Sequence, residues 1–121
     1  MSDDRMNSPT WRVDDVLAAR RQQREQRRIE LLRGVKEALG RLADAIAFRN
    51  AYIFGSLVKP GRFFEDSDID IAVEGLKDED LFPAIAFLSR ELGREVDVIQ
   101  LEGHRLEGKI RQEGLRWNKP H

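Results

Sequence analysis

The apolar positions of this chain follow two rhythms. From about Thr10 or Asp14 to Arg49 they recur at helical spacing. Leu31, Val35, Ala38, Leu42 and Ala45, with Leu39 and Ile46 alongside, make a core-facing stripe. Val13, Val16 and Leu17 begin another, but no large apolar residue stands between Ala19 and Ile29. A helix through that gap would have nothing to pack with. Residues 29–121 are therefore expected to fold as the domain, and residues 1–28 to be a polar, arginine-rich, partly helical extension, frayed up to about residue 10. Beyond Arg49 short apolar runs predict strands over 51–54, 69–73 and 96–101. The loop from Leu57 to Ser67 holds the turn pair Pro60-Gly61 and is too short for a helical crossover, so the first two strands should pair antiparallel. Leu81, Ile85, Leu88 and Leu92 give a helix that Asp78, Glu79 and Asp80 introduce and Gly93 ends. A last short helix spans about 106–113 and stops at Gly114. The fold class that follows is α+β: a small mixed sheet backed by helices, with a long N-terminal helix.

Length and composition narrow the chemistry. At 121 residues there is room for one small core. The chain is 40% hydrophobic and 36% charged, with a net charge of −1, which carries no overall nucleic-acid signature. Sequence-specific nucleic-acid binding and membrane insertion are not expected. Cysteine is absent, so disulfides and thiol catalysis are excluded. Only His104 and His121 could serve a zinc site or a serine triad, and neither has a ligand-like spacing. No apolar leader follows Met1-Ser2-Asp3-Asp4-Arg5, and a cytoplasmic location is the expectation. Charge is uneven: Arg20, Arg21, Arg24, Arg27 and Arg28 face only Glu25. That stretch is either a solvated helix face or a partner-binding arm.

The chemistry lies in Asp68, Asp70 and Asp97. Side chains alternate along a strand, so Asp68 and Asp70 share a face while Ile69, Ile71 and Val73 point to the core. Asp97 interrupts another apolar strand, Val96-Asp97-Val98-Ile99. A carboxylate there is costly unless paired, solvated or bound to a cation. Three that converge would form a hard oxygen site for Mg²⁺, and two such ions could clamp both oxygens of a phosphoryl-type displacement. Upstream, Gly55 allows close approach of backbone to a ligand, and Ser56 offers a hydroxyl and an N–H to phosphate. Lys59 and Arg62 could neutralise triphosphate charge, and Asp97 could accept the proton of an attacking hydroxyl.

Gly55-Ser56, an eleven-residue connection, Ser67-Asp68-Ile69-Asp70-Ile71 and then Val96-Asp97-Val98-Ile99-Gln100-Leu101 resemble the DNA polymerase β-type nucleotidyltransferase superfamily. The small size, and the later Ile110-Arg111-Gln112-Glu113-Gly114, are most similar to its minimal nucleotidyltransferase (MNT) group. The resemblance covers about residues 31–116. The group commonly places Arg-Gly after Gly-Ser and a small residue; here Lys59 keeps the charge without the planar fork. The resemblance implies a nucleotidyltransferase fold. It implies catalytic and metal-holding roles for Asp68, Asp70 and Asp97, and phosphate contacts at Gly55, Ser56, Lys59 and Arg62. Two Mg²⁺ ions and ATP are implied with them. Many proteins of the group are antitoxins that transfer AMP from ATP to a tyrosine of a cognate HEPN-type toxin. Hence a toxin partner, and a homo-oligomer or a hetero-oligomer with the toxin, are expected. Two alternatives stand beside this: a non-catalytic antitoxin that neutralises by stoichiometric binding, and transfer to a small-molecule hydroxyl.

Overall fold

The computed structural model describes residues 9–64 and 66–119, with side chains from Arg12 onward. Residues 1–8, expected to fray, lie outside the described residues. Helix α1 runs unbroken over Pro9–Ala45, 37 residues. The strands and helices that follow are β1 (Asn50–Phe54), β2 (Ile69–Glu74), α2 (Leu81–Leu92), β3 (Val96–Gln100), α3 (Glu107–Glu113) and β4 (Leu115–Asn118). A 3₁₀ turn, Gly55–Val58, directly follows β1. Another, Asp78–Asp80, leads into α2.

The four strands form one mixed sheet in the order β3-β2-β1-β4. As the short loop requires, β1 and β2 are antiparallel, with Phe54 opposite Asp70. Strands β2 and β3 are parallel, joined through α2, and Asp70 lies opposite Asp97. Strand β4 is the element the sequence reading missed. It pairs antiparallel with β1, Leu115 opposite Ile53 and Trp117 opposite Ala51. Its four residues carry only a Leu-x-Trp alternation as signal.

One face of the sheet carries the main core. Val35, Ala38, Leu39 and Leu42 of α1 and Ala84 and Leu88 of α2 pack on Ala51, Ile53, Ile69, Ile71, Val73, Val96 and Val98. The period-2 pattern of β2 thus points inward as expected. Ala45 falls off the stripe and is exposed, and the helix ends there rather than at Arg49. The chain turns so that the Phe48 ring meets Trp117 and the Arg49 amide donates to the Glu74 carbonyl, extending the ladder. Helix α2 closes on Gly93 in the left-handed conformation, φ 63°.

The opposite face holds a smaller cluster in which Tyr52, Ala72 and Leu101 are buried together with Ile110 of α3, with Phe54 and Ile99 beside them. Asp70 and Asp97 continue this face at the end of the strands where β1 gives way to Gly55. Arg111 ties α3 down by donating to Glu74 at 3.0 Å, and the Asn50 amide donates to the same carboxylate at 2.8 Å.

The segment of α1 without large apolar residues nonetheless packs. Arg28 is the one buried charged side chain among the described residues. Its Nη1 donates to the Leu57 carbonyl at 2.9 Å. Its Nε and Nη2 hold both oxygens of Glu25, at 3.0 and 2.6 Å. One turn earlier, the Arg24 guanidinium lies over the Phe64 ring, 4.9 Å from its centroid. Arginine stems do the packing that a hydropathy pattern assigns to leucines. Farther back, Val13, Val16 and Leu17 are exposed.

Candidate active site

The site is assembled where β1 ends. Phe54 is extended, and Gly55 then turns the chain with φ +79° into the 3₁₀ turn Gly55–Val58. The glycine is needed twice over. Its φ is one that L side chains rarely adopt, and a Cβ there would run into Oδ2 of Asp70. Leu57, fully buried, anchors the turn in the core, while Ser56 stays partly exposed beside the carboxylates' end of the sheet. At the end of the turn the Lys59 amide donates back to the Ser56 carbonyl at 3.1 Å. The first amides of such a turn have no partner within it and are available to an anion.

Asp70 and Asp97 are register neighbours on parallel strands, so their side chains leave the same face. Asp68 stands just before β2 and is exposed, as is Asp97; Asp70 is half-buried. Burial, then the charges of Asp97 and Asp68, push the Asp70 carboxyl above its ordinary value. Asp97 and Asp68 thus both bear on Asp70. The three form an open row: among the described residues, no three acidic, histidine or cysteine side chains close into a metal cage. The donor set still fits Mg²⁺, since hard carboxylate oxygens whose mutual repulsion raises one of them are what a divalent cation would relieve.

The approach to Asp68 is braced from another loop. Arg94 donates to the Ser67 carbonyl at 2.7 Å and lies over the Phe63 ring, 5.1 Å from its centroid. Ser67 also closes a turn with Phe64, its hydroxyl accepting from the Phe64 amide at 3.0 Å.

Lys59 lines a cavity of about 120 Å³ with Phe54, Gly55, Val58, Leu106 just before α3, and Lys109 and Ile110 of α3. Lys109 is a cation that sequence reasoning passed over, because only the packing of α3 brings it beside Gly55. Arg62 is exposed on the turn whose amide donates to the Lys59 carbonyl at 3.0 Å, and no described contact joins its side chain to Gly55, Ser56 or the aspartates. His104 is occupied structurally, its Nδ1 accepting from the Leu106 amide at 3.1 Å ahead of α3.

A glycine turn thus stands against a carboxylate row on a small mixed sheet. Residues 36–116 match the family model described as Polymerase beta, Nucleotidyltransferase, and the chain belongs to that family. Comparison with curated proteins and with solved structures gave no match. No helix among the described residues is long and apolar enough to cross a membrane.

Proposed function

We propose that this nucleotidyltransferase moves AMP from ATP to a protein hydroxyl, a tyrosine of a cognate HEPN-type toxin, and thereby acts as the antitoxin of a pair. The observation that supports the reading is the packing of Gly55 against the Asp70 carboxylate, with Asp97 alongside. It puts the backbone suited to phosphate beside the acidic row. Asp68, Asp70 and Asp97 would hold Mg²⁺, two ions in all, which when bound neutralises phosphate charge and favours in-line displacement. The Gly55–Ser56 backbone and the Ser56 hydroxyl orient the triphosphate. Lys59 and Arg62 offset its charge. Asp97 accepts the proton of the attacking hydroxyl as its oxygen bonds to the α-phosphorus and pyrophosphate leaves. Asp68 and Asp97 are exposed and Asp70 half-buried, which suits an acceptor carried by a partner protein.

The test is intact-mass spectrometry of a small helical partner encoded beside this chain. The partner is incubated with the chain, Mg²⁺ and each of the four nucleoside triphosphates. A gain of nucleotide mass, absent with Asp68→Asn/Asp70→Asn, is the expected result. Exposed Val13, Val16 and Leu17 on α1 favour a second reading, neutralisation by stoichiometric binding. A tight complex with no mass gain would select it.

A further inference from the structure

The Gly55–Val58 turn is held from outside the family-matched residues. Residues 36–116 carry the match, yet the carbonyl of Leu57, inside the turn, is bonded by Arg28 of α1. We infer that Arg28 is a positioning residue for nucleotide binding: it fixes the Gly55-Ser56 turn in the form that receives phosphate. The inference rests on the nucleotidyl-transfer reading.

Three observations carry it. Arg28 spends its guanidinium on two tasks, gripping Glu25 with two nitrogens and the Leu57 carbonyl with the third. The Glu25 grip fixes the plane of the fork, so the direction of the third bond is set before any ligand arrives. The loop after the turn is held from the same helix face. Arg24 covers Phe64, and the Gly61 amide adds to the Arg28 hydrogen bond in holding the Glu25 carboxyl below its ordinary value. Finally, the turn is short, a single 3₁₀ stretch of four residues. A turn so short depends on outside partners to stay in one conformation. Arg28 does not touch the ligand in this account. It keeps the Ser56 and Leu57 backbone where the phosphate finds it.

The experiment measures the affinity of the full chain for Mg·ATP, Mg·GTP, Mg·CTP and Mg·UTP by calorimetry. The variants are wild type, Arg28→Met, Arg28→Lys and Trp117→Leu. The last removes packing at the far end of β1 and supplies a comparable loss of stability without touching the turn. Arg28→Met is expected to weaken nucleotide binding about tenfold, by lowering the fraction of molecules with a competent turn. Arg28→Lys should recover part of that, having one donor for Leu57 but no fork for Glu25. Amide exchange over residues 55–62 should quicken in Arg28→Met and not in Trp117→Leu. Unchanged affinity in Arg28→Met, or an equal loss in Trp117→Leu, would overturn the inference and leave the nucleotidyl-transfer reading intact. Failure of wild type to bind any of the four would overturn both.

Discussion

A side chain on Gly55 would occupy the space that the Asp70 carboxylate fills. Gly55 opens the turn that leaves β1 and Asp70 sits on the neighbouring strand β2, and the turn and the acidic row can approach each other only because Gly55 has no Cβ. Gly55→Ala is therefore expected to disturb both. The positive φ alone costs about 1–2 kcal/mol for an L residue, and displacing Asp70 should lower transfer by about a hundredfold. Gly103 is the control, with φ +78° and nothing within 4 Å of a built Cβ. Gly103→Ala should show a similar loss in urea denaturation with transfer retained.

Asp70 should be a stability cost whenever no cation is bound. Its carboxyl is raised above the usual value by burial and then by Asp97 and Asp68, so the native state holds that proton more tightly than the unfolded chain does. Stability from this group is complete below the unfolded value of 3.8 and is lost as pH rises through the higher native one. At neutral pH, without divalent cations, Asp70→Asn should raise Tm by about 4 °C. Added Mg²⁺ should raise the wild-type Tm and not that of Asp70→Asn. Thermal scans with EDTA and with Mg²⁺ read both effects, and a lower metal-free Tm for Asp70→Asn would contradict the argument.

Glu74 has the opposite sign. The Asn50 hydrogen bond, then that from Arg111, hold its carboxyl below the ordinary 4.5. Its contribution is present above that value and is lost as pH falls through the native one. Glu74→Gln should flatten the loss of stability that urea titrations would read as pH falls below about 4.5. Because Arg111 reaches Glu74 from α3, the same variant should loosen that helix, and amide exchange over residues 107–113 should rise.

Trp117 tests the strand that the sequence reading did not place. Trp117→Leu should cost about 1–2 kcal/mol through lost contact with Phe48 and the β1 edge. It should leave nucleotide affinity unchanged, since Trp117 lies opposite Ala51 and not at the Gly55 end.

Much of this molecule could be read from its residues, and the reasons differ by element. Strands β1, β2 and β3 announced themselves through uninterrupted or strictly alternating apolar runs, and Asp70 and Asp97 stood out because a carboxylate in such a run needs a reason. Helix α2 carried both a stripe and a stop at Gly93. Strand β4 did not announce itself, because four residues half-open to solvent give two apolar positions and no boundary signal beyond Gly114. Arg28 was the larger surprise. Among five arginines it looks like surface charge, and its burial depends on a carbonyl 29 residues away, which no local pattern encodes. Lys109 was hidden for the same reason, since its place beside Gly55 is a product of how α3 lies on the sheet. Non-local polar contacts are what periodicity cannot show.

Strand β3 is an outer strand of the sheet, and Asp97 stands on it. A molecule sliding in from that border meets Asp97 before it meets Asp70. On the proposed reading, an acceptor borne by a partner would approach the carboxylates across this border, and selectivity would reside in the fit between two surfaces. A substituted edge would then change which acceptor is modified while the handling of the nucleotide stays the same.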